Sequence, residues 1–554
     1  MAKVNIIRRA ARIAKSILLP ADKARLEKRI EFSRKQIHKR RKNNKRRNIA
    51  ERNVLIMDET GMTKEEINEK LQHFRDMNIT QLSHNLFKAF GLYKMDDEEA
   101  VKVLYKLKEL KDLEYDLRWD YRLWDLGLLS FEDVEENSTK FKKLYGELLT
   151  KDGQLAIVEK AGYLHPETFD DNQLRDLAAD MEFTRSILRF TRSQYAQFHF
   201  YDKSIPERRT FVANLDRDLL RSEINTRDSV AILDDKLMTY EHLSKFFGRD
   251  LVSIAGETDY FKFKRFFENN DAGVLKPRFE SLGKGIRLIH KSEFDEAGMG
   301  KAFISLVDEY RRFLLEGYIN AAEEIRRLNP DSVNTVRVMA YYDGEKTTIF
   351  SVSMRIGHAG SFVDNAGAGG ITVAIDKETG RIDSDGYDEK GLVYECHPDN
   401  GIKLKGYQLP AWDKALATVE EISRSLEGAK FVGWDLACTD KYEWVLVEGN
   451  GRSGFFGAQA PHDKGRLKEF LELTGSDPRG AVCRGIARET AKRIRNEEEI
   501  PVEDTMEMIY HFESLGLDGR YFYECRAWEK SDEELLALKD KYAVQNRINE
   551  LHGE

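Results

Sequence analysis

The chain has 554 residues, 41% of them hydrophobic and 34% charged, with a formal net charge of −8; that length asks for roughly two to four domains, each with its own core. No apolar run reaches the ~18 residues needed to cross a bilayer. Four cysteines (Cys396, Cys438, Cys483, Cys525) without a CxxC pair support neither a disulfide framework nor a thiolate zinc site, so a reducing, cytoplasmic setting is expected.

Charge is unevenly spread. Residues 1–52 hold 19 Lys/Arg against 4 Asp/Glu, which leaves the remainder near −23. A basic head on an acidic body implies a polyanionic partner: nucleic acid, an acidic polysaccharide or an anionic membrane surface. Ile6, Ile7, Ala10, Ile13, Ala14 and Ile17 fall at helical spacing with Arg8, Arg9, Arg12 and Lys15 between them, until Pro20 ends the pattern. This predicts a short basic amphipathic helix; charges interrupt every candidate signal-peptide core. Residues 21–52 read as a second, very basic helix whose run His38 to Arg47 opposes a packed fold, so a solvated or partner-bound segment is expected.

Residues 53–230 read as a helix-rich domain, with periodic apolar positions in Glu99 to Lys111 and an aromatic run from Tyr115 to Trp124 that predicts core. From Ala231 short β-type runs alternate with helical segments, which predicts an α+β or α/β unit over 231–490. These runs include Gly273 to Lys276, Thr335 to Tyr342, Thr347 to Met354, Phe431 to Ala437 and Trp444 to Val447. Residues 491–554 form an acidic extension with aromatics at Tyr510 and Tyr521 to Tyr523, to which no chemistry is assigned.

The strongest chemical signal is the pair FVGWD (Phe431 to Asp435) and WVLVEGN (Trp444 to Asn450), two apolar strands that each end in acceptor residues. Glu448 and Asn450 are two apart and share one face of a strand, and a turn at Thr439 to Lys441 would set Asp435 beside Glu448. Two carboxylates and an amide oxygen make a hard-oxygen set suited to magnesium. Upstream, VLKP (Val274 to Pro277) is a strand ending in Lys276, followed by the turn Ser281-Leu282-Gly283-Lys284-Gly285. Such glycines let backbone N–H groups approach phosphate, although neither a P-loop nor a GxGxxG pattern is present. FLLEGYI (Phe313 to Ile319) is an apolar strand broken by Glu316, with Glu323 and Glu324 beyond it.

In this order the pieces resemble the ATP-grasp superfamily. The match spans about Ala231 to Ala460 and includes the family's spacing of thirteen residues from Asp435 to Glu448 and two more to Asn450. VNTVRVM (Val333 to Met339), Met354 to Gly370, His397-Pro398 and Gly433-Trp434-Asp435 look most like the sugar-transfer-associated group, related to glutamate ligases of the ribosomal-protein-modifying type. The resemblance implies two α+β subdomains clasping ATP, preceded by a helix-rich region. It implies Lys236, in the opening Asp235-Lys236, and Lys276 as phosphate ligands, and Ser281, Gly283, Lys284 and Gly285 as the loop closing over them. Glu316 and Ile319 would form the adenine hinge, Glu323 would meet the ribose, and Asp435, Glu448 and Asn450 would hold two Mg2+ ions. Arg337 and Arg355 would face the γ-phosphate from adjacent strands as catalytic residues. Ala368 stands where those ligases carry a basic residue before Gly369-Gly370, so their acceptor specificity is not carried over.

The implied activity is an ATP- and Mg2+-dependent carboxylate–amine ligase acting through an acyl phosphate, with an amino acid and a sugar acid of surface polysaccharide or glycoconjugate synthesis as substrates. A saccharide acceptor on a lipid carrier would give the amphipathic helix a peripheral membrane role at the inner face. The alternatives are a kinase or carboxylate–thiol ligase on the same scaffold, and a non-catalytic binder of polyanions; a nucleic-acid binder is disfavoured because it leaves the acidic triad without a task. His358 and His397 read as hydrogen-bonded structural histidines. No general base is identified, Asp364 and solvent both remaining open.

Overall fold

The computed structural model describes residues 27–553 apart from 34, 37–38, 40–41, 44–45, 47–49, 51–53, 55, 78, 80–81, 163, 215–223, 280–284, 295–297, 365–366, 368, 477–479 and 495–501. The predicted amphipathic helix at 4–19 and the loop positions Ser281, Gly283 and Lys284 therefore lie outside the described residues. Among the described residues no helix is long and apolar enough to cross a membrane.

The helical region is built on α1 (Asp97–Asp125), α2 (Phe131–Leu148) and α3 (Asp171–Ser186). Each starts on a side-chain cap, from Asp96, Ser130 and Asp170, and three acids occupy the first turn of α1, where the helix dipole favours them. The predicted stripe of α1 is buried at Ala100, Leu104, Leu107 and Leu110. Of its aromatic run, Trp119 and Tyr121 are core, while Tyr115 is 44% exposed.

Two antiparallel sheets follow. The smaller contains β1 (Leu251–Ile254), β2 (Ala272–Pro277), β3 (Arg287–His290) and β4 (Phe313–Gly317) in the order β1-β4-β2-β3. The larger contains β5 (Val336–Tyr342), β6 (Thr347–Ile356), β7 (Ile371–Ala374), β8 (Gly386–Tyr387), β9 (Val393–Tyr394), β10 (Phe431–Cys438) and β11 (Trp444–Asn450) in the order β11-β10-β5-β6-β7-β8-β9. Helices α4 (Lys236–Leu243), α5 (Tyr260–Asn269), α6 (Met299–Tyr310), α7 (Glu323–Leu328) and α8 (Trp412–Ser423) cover them. Phe263, Phe267 and Phe303 of α5 and α6 pack on Leu275 and Leu315 of the small sheet. On the large sheet the period of two divides the faces. Val336, Val338, Val432, Trp434 and Leu436 share a core with Met238, Ile325 and Val419 of α4, α7 and α8. Their neighbours Arg337, Met339, Phe431 and Asp435 point to the other face, where Met339 and Phe431 meet Phe350, Phe455 and Phe470.

The C-terminal helices α9 (Ala481–Ile494), α10 (Val502–Ser514) and α11 (Val544–His552) return to α1. Trp119 packs with Cys483, Phe512 and Phe522, and Arg547 donates to both oxygens of the fully buried Asp120 at 2.8 and 2.7 Å. Near the other end of the chain, one turn of the segment expected to be solvated is packed instead. Ile30 (4% exposed) joins the core of the large sheet and Ser33 is fully buried, because these two positions, three apart, share one helix face while the basic residues take the other.

Candidate functional site

A cavity of about 520 Å³ lies between the two sheets. Lys276 and Glu316 of the small sheet line it, with Ile319 just beyond β4, and so do Arg337, Arg355, Asp435, Glu448 and Asn450 of the large sheet and Lys236 at the start of α4. Strand register accounts for the convergence. Asp435 lies opposite Glu448 on one side and opposite Arg337 on the other, and Arg337 pairs with Ser353, two residues from Arg355 on the same face of β6.

Asp435 is 1% exposed. Arg337 donates to its two oxygens at 2.7 Å each, Arg355 Nη2 donates at 2.8 Å, and Asn450 Nδ2 at 3.3 Å. Burial penalises the carboxylate, but the two guanidinium groups outweigh it and hold the Asp435 pKa below its ordinary value. The Arg355 pKa moves up, burial being overcome by Asp435 and Asp364. Asp364 accepts from the Thr335 backbone N–H at 2.7 Å and from its hydroxyl at 2.6 Å.

The opposite wall repeats the pattern. Glu316 is 3% exposed and sits diagonally from Lys276 across the β2–β4 pair. Its carboxylate accepts from Lys276 Nζ at 2.8 Å and Arg249 Nη2 at 2.9 Å. Burial alone would raise its pKa; the Lys276 and Arg249 charges bring it down to about 2. Arg249 also donates to the Leu446 carbonyl at 2.8 Å, tying the small sheet to β11. The Glu316 carboxylate is thus engaged by both Lys276 and Arg249.

Glu448 is less constrained: its side chain is 39% exposed, with Lys236 Nζ 3.9 Å away. Gly285, the one described glycine of the predicted loop, has φ +71, and a Cβ there would stand 2.8 Å from Pro277 Cγ, so this turn requires glycine. Glu323 is not brought into the cavity. It opens α7, and its carboxylate, 74% exposed, accepts from Arg327 one turn on at 2.7 Å. His397, 2% exposed, bonds through Nε2 to the Gly357 carbonyl at 3.0 Å, and His358 Nδ1 lies 2.9 Å from the Ala359 carbonyl, both structural uses.

Sequence reasoning missed Arg249, Thr335, Arg452 and Ser453, all of which line the cavity. The Ser453 hydroxyl is buried with no hydrogen-bond partner among the described residues. Arg452 and Ser453 follow EGN after a single glycine, a position that could have flagged them.

The family model described as sugar-transfer associated ATP-grasp matches residues 216–474. Those residues make up a domain similar to the sugar-transfer-associated ATP-grasp family, a match over a little under half of the chain. Its fold is the ATP-grasp fold, and enzymes of this superfamily are ligases that use ATP and Mg2+. No curated protein matches the chain. Among solved structures, the domain is similar to N5-carboxyaminoimidazole synthetase from Staphylococcus aureus complexed with ADP, at 14% identity over 46% of this chain and 55% of that one, with a TM-score of 0.30. D-alanyl-alanine synthetase A from Vibrio cholerae matches at 14% identity over 46% and 63%, TM-score 0.27. A RimK domain ATP-grasp protein from Sphaerobacter thermophilus matches at 14% over 44% and 70%, TM-score 0.27. The chain thus spans little more than half the length of the S. aureus synthetase.

Proposed function

We propose that the cleft of the ATP-grasp domain, residues 231–490, binds ATP with Mg2+ and activates a carboxylate as its acyl phosphate for attack by an amine. One observation carries this reading. On a chain of net charge −8, the cleft is lined by six basic side chains (Lys236, Arg249, Lys276, Arg337, Arg355, Arg452) against four acidic ones (Glu316, Asp364, Asp435, Glu448). A local cation surplus of this kind neutralises a polyphosphate.

The donor chemistry fits magnesium. No cluster of three or more His, Cys, Asp or Glu suited to a metal occurs among the described residues, but magnesium needs only one or two carboxylates, because phosphates and waters complete its shell. Glu448 and Asn450 would hold the ions, with Asp435 as the third ligand once Arg337 and Arg355 have phosphate oxygens to bind in its place. Two ions are part of the proposal. When bound there, Mg2+ would supply charge neutralisation to the phosphates.

The chain's own residues do the rest. Lys236 and Lys276 bind the phosphates. Arg337 and Arg355, aligned by Asp435 until phosphate oxygens take its place, present their guanidinium groups toward the charge that develops on the transferring phosphoryl group and then on the acyl phosphate. The amine nitrogen bonds to the acyl carbon and its proton passes to solvent, while the bond from that carbon to the phosphate oxygen breaks and inorganic phosphate leaves. A sugar acid and an amino acid are the proposed substrate classes. The basic head, residues 1–52, is proposed to hold the protein at an anionic membrane surface bearing the saccharide.

Incubation with ATP, Mg2+ and pools of amino acids and sugar acids, followed by mass spectrometry, tests the reading. An amide formed together with ADP and phosphate is the expected result. A phosphorylated small molecule would make the protein a kinase, a thioester would make it a carboxylate–thiol ligase, and absence of ADP release with every pool would reduce it to a polyanion binder.

A further inference from the structure

Asp235 precedes the first phosphate lysine, yet its carboxylate serves neither metal nor phosphate. It is fully buried and caps α4, accepting from the Leu237 N–H at 3.2 Å. Arg278 closes a two-pronged bond on it, Nε to Oδ1 and Nη2 to Oδ2, each 2.7 Å. The Ser33 hydroxyl, also fully buried, donates to Oδ2. With these donors every acceptor position of the carboxylate is engaged.

The placement of this cluster is the informative part. Asp235 is joined directly to Lys236, on a helix that packs with the large sheet. Arg278 stands two residues after Lys276, next to the end of β2 in the small sheet and three residues before the glycine loop. The Arg278–Asp235 pair therefore fixes, across the cleft, the two short segments that carry the two lysines. Ser33 comes from neither sheet. It arrives on the turn 27–33, which is seated by Ile30 in the large-sheet core and by the Arg29–Glu241 ion pair. Phe32 of this turn lies 6.3 Å from Phe279, and the Arg278 guanidinium is stacked 5.8 Å over Phe32 and 5.0 Å over Phe279.

We propose that Ser33, Asp235 and Arg278 form a lock that sets the spacing of Lys236 and Lys276, so that the turn at residues 27–33 is an integral part of the ATP site. All three are positioning residues. The inference rests on the reading of the cleft as an ATP site. A planar, forked guanidinium fixes both distance and angle, which a lysine cannot do.

The test uses the full chain and Mg2+·ATP, with affinity from titration calorimetry and KM and kcat from ADP release. The variants are Ser33→Ala, Asp235→Asn and Arg278→Lys; Asn keeps the helix cap, and Lys keeps the charge but loses the fork. Each is expected to raise KM for ATP, about tenfold for Asp235→Asn and Arg278→Lys and less for Ser33→Ala, with a smaller change in kcat. A merely structural role would lower the thermal midpoint and the active fraction without moving KM. Ser33→Ala, which removes one hydroxyl, decides the matter if the other two fail to fold. Wild-type protein that binds ATP alongside folded variants with unchanged KM would overturn the lock alone; wild-type protein that neither binds nor turns over ATP would remove the ATP reading and the lock together.

Discussion

Replacing Glu316 by glutamine removes one charge and almost no volume, so its effect isolates the electrostatics of the small-sheet wall. In the native chain that carboxylate satisfies both Lys276 and Arg249 while being 3% exposed. Two routes give a similar magnitude. Depression of the pKa from 4.5 to about 2 corresponds to roughly 3 kcal/mol at neutral pH. Breaking a buried pair by removing one partner costs about 3–5 kcal/mol. For a unit of this size that is a fall of roughly 6–12 °C in thermal midpoint, read by scanning calorimetry at pH 7. The pH dependence supplies the sharper test. A carboxyl depressed on folding stabilises fully above its unfolded pKa, so the gap between wild type and Glu316→Gln should be constant down to about pH 4.5, narrow below that, and close toward pH 2. A gap that stayed the same from pH 7 to pH 3 would refute the assignment of the effect to the charge, leaving shape or hydrogen bonding as its source.

The metal-side reading predicts a different profile for Glu448→Gln. Because its side chain is 39% exposed, the unfolding free energy should stay within about 0.5 kcal/mol of wild type, while the Mg2+ concentration for half-maximal ADP release rises at least tenfold; an unchanged requirement would remove Glu448 from the ion site. Gly285→Ala should cost roughly 1–2 kcal/mol from its left-handed backbone and raise KM for ATP, since the added Cβ meets Pro277; an unaltered KM would show that this turn does not close over phosphate. Deleting residues 1–26, which removes the predicted amphipathic helix and 7 of the 19 Lys/Arg of the basic head, should weaken binding to anionic liposomes and leave ADP release on soluble substrates intact, as a flotation assay and a coupled ADP assay will show. Deleting residues 1–33 should weaken ATP binding as well, because it removes Ile30 and Ser33 from the large-sheet core and the lock; equal ATP affinity in the two truncations would contradict that difference.

Legibility of the site follows the range over which each interaction acts. The β10–β11 hairpin was readable because its strands are close in sequence, alternate with a period of two and end in acceptors; the register Asp435 to Glu448 then follows from the turn. The helical stripe of α1 was readable for the same local reason. Arg249 and Arg278 were not, since their partners lie 67 and 43 residues away and only the sheet order brings them together. The same limit explains Glu323: its place after the hinge is a local fact, but whether it reaches the ribose depends on the direction taken by α7, and Arg327 one turn later claims its carboxylate.

One class of long-range contact was nonetheless encoded. Arg337 in VRVM, Asp435 in GWDLA, Lys276 in VLKP and Glu316 in FLLEG are each the lone charge of an apolar strand. A strand of that kind is buried, and a buried charge persists only beside a partner of opposite sign. With Arg355 of β6 and Glu448 of β11, also lone charges, three charges of each sign allow six ways of pairing, and chain order narrows them: Lys276 and Glu316 fall in the earlier group of strands, Arg337, Arg355, Asp435 and Glu448 in the later. The structure pairs opposite charges within each group. Isolated charges in apolar strands therefore carry information about tertiary partners that hydrophobic periodicity does not, and here they mark the two facing walls of the cleft.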